Sequence, residues 1–181
     1  MKISNNYKDY DEKEEKQEVV ETRRMLMMLV NGIDFAIDFN EIVEISRIKK
    51  ITPIPEFPSY VSGIVQVGEY TVPAIDARAR FGFERVPISD RSCLVVAKDG
   101  EKRIGIIVDA VKRFRDTAVH DIQEMPQLNS EAFSRYITGV FRRTTDNRLC
   151  YIVSPKLMYS LTEREAMLGE DEVKMPDTIE L

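Results

Sequence analysis

The chain has 181 residues, 43% hydrophobic and 31% charged, with a formal net charge of −5 and a pI near 5.1. This is globular composition, which argues against a disordered or membrane-embedded chain. The acidic surplus disfavours general attraction to nucleic acid or to an anionic membrane surface.

The opening, residues 1–24, is a polar arm with alternating charge around Asp11-Glu12-Lys13-Glu14-Glu15-Lys16. It has no apolar stripe to bury, so a frayed helix or a disordered arm is expected. It also lacks the apolar stretch of a secretory signal, and no run in the chain reaches membrane-span length. A cytoplasmic protein without direct membrane insertion is the expectation. Cys93 and Cys150 sit in apolar runs without CxxC spacing. They read as buried free thiols, with a disulfide as the alternative.

Structured chain is expected from Met25. Residues 25–30 and 33–37 flank Asn31-Gly32, a strong signal for a tight hairpin. Asp38 then opens a helical turn in which Phe39, Ile42 and Ile45 share helical spacing, before a return to strand at 45–48. Pro53, Pro55 and Pro58 rule out a helix or a central strand through 52–58. Residues 60–67 and 70–75 form a second hairpin about Gly68-Glu69, and a single helical turn over 76–81 stops at Gly82.

The pattern then restarts. Residues 92–98 and 103–108 flank Asp99-Gly100, and a short strand follows at 111–114. A long polar loop occupies 120–134. Residues 136–143 and 148–153 pair across Asp146-Asn147, and Ser154-Pro155 opens a closing helix running to Leu168, with Ser154 as its cap. An acidic tail fills 169–181.

The restart is a repeat. Tyr60-Val61-Ser62-Gly63-Ile64-Val65 returns as Tyr136-Ile137-Thr138-Gly139-Val140-Phe141. Phe35-Ala36-Ile37 lines up with Ile104-Gly105-Ile106, and Pro73-Ala74-Ile75-Asp76 with Tyr151-Ile152-Val153-Ser154. The offset drifts from about 68 to about 78 residues, too long for a solenoid and suited to two copies of a small domain. Copies this small bury too little alone and must share a core. The expected architecture is all-β: two tandem five-stranded barrels related by a pseudo-twofold, the first over 25–85 and the second over 86–155 plus the closing helix.

Catalytic machinery is sparse. His120, the sole histidine, lies in a loop beside Asp121 and reads as solvated. One histidine and two separated cysteines do not make a usual zinc site, and no phosphate-cradling glycine motif occurs. Asp38, Asp76 and Asp109 stand where strands end, and helix or turn capping accounts for them. Arg103, Arg113 and Arg142 lack interleaved aromatics and read as a solvated face rather than an oligonucleotide groove. No cofactor or metal is expected, and by elimination the chain is a binding module rather than an enzyme.

The ordered set Phe35-Ala36-Ile37, Ile42-Val43-Glu44-Ile45, Ile51-Thr52-Pro53-Ile54-Pro55, Tyr60-Val61-Ser62-Gly63 and Val72-Pro73-Ala74-Ile75-Asp76 with Arg80-Phe81-Gly82 resembles the CheW family of chemotaxis coupling proteins. The second half agrees through residues 104–111 and 136–140. The resemblance covers residues 25–168 and implies two SH3-like barrels around a shared seam. It also implies an adaptor that couples the cytoplasmic tips of methyl-accepting chemoreceptors to the regulatory domain of the histidine kinase CheA. Membrane contact would then be indirect, through receptors.

In that setting the partner-binding residues expected are Ile42 and Glu44 by motif match, Val65 and Val67 if they face outward, and Gly68 at the position of the family's arginine. Core packing accounts equally for Ile42, whereas a lone buried carboxylate at Glu44 would be costly. The chain departs from the family after Gly63: Gln66-Val67-Gly68-Glu69 stands where Asn-Leu-Arg-Gly is usual. Gly68 therefore replaces an arginine that tends to sit by the glutamate. A divergent scaffold for another kinase complex is the alternative reading, with a β-barrel enzyme or ligand binder a remoter one.

Overall fold

The computed structural model describes residues 20–125 and 134–158. Most of the expected arm, most of the 120–134 loop, the closing helix beyond Met158 and the acidic tail lie outside the described residues.

The first half contributes β1 (Thr22–Val30), β2 (Ile33–Asp38), a 3-10 turn at Phe39–Glu41, β3 (Ile42–Arg47), β4 (Ile51–Thr52), β5 (Val61–Val67), β6 (Tyr70–Asp76) and the helical turn α1 (Ala77–Arg80). The second contributes β7 (Cys93–Asp99), β8 (Lys102–Val108), β9 (Ala110–Ala118), a 3-10 turn at Val119–Asp121, β10 (Ile137–Arg142), β11 (Leu149–Val153) and a 3-10 turn at Pro155–Leu157. The β1–β2 hairpin turns on Asn31 and Gly32, both at positive φ (51° and 74°), which matches strand twist.

Three local expectations are corrected. Ile42 belongs to a strand rather than a helical turn, because its run pairs with β7. β1 begins at Thr22 rather than Met25, since Thr22, Arg23 and Arg24 pair with β9 while their polar side chains stay exposed. The Ser154 side chain makes no capping hydrogen bond, and Pro155 starts the turn unaided. Asp38 and Asp76 do cap, accepting from the backbone N–H of Asn40 (2.9 Å) and Ala79 (3.2 Å).

The strands form two sheets, ordered β10-β11-β2-β1-β9 and β3-β7-β8-β6-β5-β4. Sheet membership crosses the midpoint of the chain. Hairpin β1–β2 sits among second-half strands and hairpin β7–β8 among first-half strands, so barrels of residues 25–85 and 86–155 do not describe the sheets. The exchange is reciprocal: β2 pairs in parallel with β11, and β8 in parallel with β6. The pseudo-twofold holds to the residue, because Ala36 faces Ile152 just as Gly105 faces Ala74. Each sheet curls closed in the same manner, by β4 on β5 in one and by the Gln123–Val140 bridge on β10 in the other.

The exchange explains why both faces of the hairpins are apolar. In β1, Leu26, Met28 and Val30 enter a seam shared with Val95, Ala97, Ile104, Ile106 and Val108. Met25 and Met27 point the other way, into the five-stranded barrel with Ala36, Phe141, Cys150 and Ile152. The six-stranded barrel encloses Val65, Val67, Val72, Ala74, Leu94, Val96 and Ile107. Each fully buried aliphatic or Phe side chain contributes about 1.5–3 kcal/mol, so the seam fuses both barrels into one core.

The sequence echo is a pair of β-bulges. Register shifts between Val61 and Gly63 and between Ile137 and Gly139, with Ser62 and Thr138 as the extra residues. Gly63 has φ +141°, and a Cβ there would lie 2.2 Å from the Thr52 carbonyl oxygen, so no side chain fits. The two tyrosines that open the echo sandwich one cation, with Arg80 3.8 Å from the Tyr60 ring centroid and 4.9 Å from that of Tyr136.

Candidate partner-binding surface

Strand β3 lies at the border of the six-stranded sheet and is exposed along most of its length. Ile42 is half-buried against the seam, whereas Val43, Glu44 and Ile45 reach solvent. Glu44 is thus a surface carboxylate, and the cost of burying it does not arise. Its Oε2 accepts a hydrogen bond of 3.0 Å from the Tyr70 hydroxyl at the start of β6. The guanidinium of Arg103, on β8, sits 4.3 Å from the Tyr70 ring centroid. Burial and the Glu44 carboxylate together hold the Tyr70 phenol above its usual value, because its ionised form would be both desolvated and repelled.

Glu44, Tyr70 and Arg103 therefore form one cluster over the mouth of the six-stranded barrel. Tyr70 is half-buried and packs on the barrel core. Arg103, expected on a solvated face, is exposed, and its guanidinium also lies over an aromatic ring. Sequence reading missed Tyr70 because nothing in one dimension shows that the first residue of β6 meets Glu44 on β3, and missed Arg103 because it comes from the other half of the chain.

Val65 and Val67 do not face outward. They are 1% and 5% exposed and fill the barrel interior, which removes them from any contact surface. The alternation of β5 puts Gln66 outside instead. Gly68 is exposed in the β5–β6 turn at φ 58°, and a Cβ there would meet nothing within 4 Å.

A second group was not legible in the sequence. Phe39 and Phe114 meet edge to face at 5.5 Å, and Arg24 lies 6.0 and 5.7 Å from their ring centroids. Phe114 pairs with Leu26 on β1 and Ile45 with Val95 on β7, so these are equivalent positions on the seam side of the two sheets. Phe39, Val43, Ile45 and Phe114 are each 36–47% exposed. They line the rim where the seam reaches solvent, a surface suited to protein contact.

Two clefts, of about 390 and 330 Å³, open at the two bulges. Their charges are already paired internally: Arg23 with Asp38 in the first, Arg78 with Asp109 and Arg85 with Asp76 in the second. Among the described residues no group of three or more His, Cys, Asp or Glu is placed to hold a metal ion. His120 is exposed, 3.5 Å from Asp121. No helix among the described residues is long and apolar enough to cross a membrane.

Comparison with known proteins gives one consistent answer. The family model of the CheW-like domain matches residues 24–163. The chain is 25% identical over 144 residues to a probable chemotaxis protein CheW of Rhizobium etli, covering 80% of this chain and 92% of that protein. It is 26% identical, with the same coverage, to chemotaxis protein CheW of Rhizobium meliloti. The fold matches the crystal structure of the scaffolding protein TtCheW from Thermoanaerobacter tengcongensis with a TM-score of 0.74, at 21% identity, over 82% of this chain and all of that one. Reciprocal barrels, a common seam and a family model spanning nearly the whole described region establish that the chain belongs to the CheW-like domain family.

Proposed function

We propose that this protein is a non-enzymatic adaptor of bacterial chemotaxis signalling, joining methyl-accepting chemoreceptors to the regulatory domain of the histidine kinase CheA. It would act in the cytoplasm and reach the membrane only through its partners. The observation that carries this reading is the exposed rim of Phe39, Val43, Ile45 and Phe114 along the seam of a CheW-like fold. A protein of this kind acts through surface alone, and a standard contact needs about 800 Å² on each partner. Receptor contact is assigned to that rim together with Ile42 and Glu44 on β3.

A second reading, a CheW-like scaffold for a different kinase complex, is favoured by Gly68, where the family's arginine is missing. The chain is also 23% identical over 136 residues to protein FrzA of Myxococcus xanthus. One pull-down separates the two, with the full chain as bait and purified kinase regulatory domain and receptor-tip fragment as prey. Retention of both supports coupling; retention of neither overturns it and leaves the second reading.

A further inference from the structure

The pseudo-twofold gives each barrel a mouth built from matching positions, and the two mouths differ in one informative way. Glu44 corresponds to Arg113, since each follows a bulge and faces Val96 and Met27 respectively. Arg103 corresponds to Asp34, each two residues before a paired small residue, Gly105 or Ala36. At the five-stranded barrel the charges close on themselves. Asp34 is 1% exposed and is held by Lys112 and by Arg143 at 3.0 Å, and Arg143 also grips Asp146. At the six-stranded barrel the charges stay open. Arg103 is exposed, and among the described residues its guanidinium stacks on Tyr70 without donating a hydrogen bond.

A guanidinium resting over a ring, with no hydrogen bond of its own among the described residues, has already lost part of its conformational freedom and keeps its N–H donors available. Such a group is suited to a two-pronged bond with a carboxylate. Glu44, through the Tyr70 hydroxyl, fixes the ring on which it rests. Val43, the bulge residue just before Glu44, is also exposed.

Resting on the adaptor reading above, we infer that the mouth of the six-stranded barrel is a carboxylate-reading contact, in which Arg103 on its Tyr70 platform pairs with an acidic side chain of the receptor tip. The cation comes from the second half of the chain, so it compensates for Gly68 without any change near that turn. Arg103 is the specificity-determining residue, and Tyr70 and Glu44 position it.

The test is titration calorimetry of the full chain with purified receptor-tip fragment, and separately with the kinase regulatory domain. Arg103→Ala is expected to weaken receptor binding about tenfold or more, as for an interfacial arginine hot spot, and Arg103→Glu further still. Arg103→Lys keeps the charge but not the planar stack, and is expected to restore only part of the affinity. Tyr70→Phe keeps the ring and loses the Glu44 link, for a smaller effect. Charge reversal at one receptor carboxylate is expected to rescue Arg103→Glu. If the natural chain binds receptor and Arg103→Glu binds within about twofold of it, this inference fails while the adaptor reading stands. A loss confined to the kinase domain overturns the assignment to the receptor. If the natural chain binds neither fragment, both readings fall together.

Discussion

Arg78 donates two parallel hydrogen bonds, each 2.8 Å, to the two carboxylate oxygens of Asp109. The pair is 18% and 23% exposed by side chain. Asp109 also accepts 2.7 Å from the backbone N–H of Asn31, while the Asn31 side-chain oxygen accepts from Arg78. One carboxylate thus ties the β1–β2 turn to α1 and to the β8–β9 junction, three elements distant in sequence. Asp109 was expected to cap a local turn; instead it joins the two sheets at the point of strand exchange.

Replacing Arg78 with Ala is therefore expected to cost about 1–3 kcal/mol, the range for charge-assisted bonds in a part-buried setting. Urea unfolding would show a lower midpoint with an unchanged slope. Asp109→Ala loses the same pair and likewise one bond to Asn31, so the two variants are expected to cost similar amounts.

The two bulge glycines are not interchangeable. Gly63→Ala must relieve both a positive φ and a Cβ 2.2 Å from a backbone oxygen, and is expected to lose about 3–5 kcal/mol or fail to fold. Gly139→Ala meets the Ile122 side chain at 3.0 Å, which can shift, and the Gln123 carbonyl oxygen at 3.3 Å, and is expected to lose about 1–2 kcal/mol. Thermal melts of the two variants should differ by many degrees. Equal melting temperatures would refute the distinction.

Asp34 is buried between Lys112 and Arg143. Removing the carboxylate leaves two cations facing each other at the barrel mouth, and Asp34→Ala is expected to cost about 3–5 kcal/mol. Replacing all three by apolar residues of similar volume should recover much of that loss, as a double- and triple-variant melting series would show.

Cys150 carries a pH dependence. Burial pushes its thiol from 9.0 up to about 12, and the Asp34 carboxylate adds to the rise. A folded-state value above the unfolded one means that the native chain holds this proton more tightly. The associated stability is complete below about pH 9 and falls as pH rises toward 12. Tyr70, also raised, acts in the same direction. Denaturant midpoints measured from pH 8 to 11 should decline, and Cys150→Ala should flatten the decline. A thiol reagent at pH 8 should modify half-buried Cys93 and spare Cys150 until the chain unfolds.

The amino-acid sequence by itself determined the local elements and the doubling. Turn dipeptides such as Asn31-Gly32 set hairpins through backbone dihedrals, a short-range effect. The echo at Tyr60 and Tyr136 announced the pseudo-twofold because a β-bulge needs a small set of residues at a fixed spacing. What only the tertiary structure decided was which half each hairpin joins. An apolar strand reads the same whether β1 packs on its own half or on the other, so the exchange of β1–β2 and β7–β8 is invisible in one dimension. The candidate contact depended on that exchange. Glu44 and Tyr70 come from the first half of the chain and Arg103 from the second, and only the parallel pairing of β6 with β8 carries the arginine onto the ring.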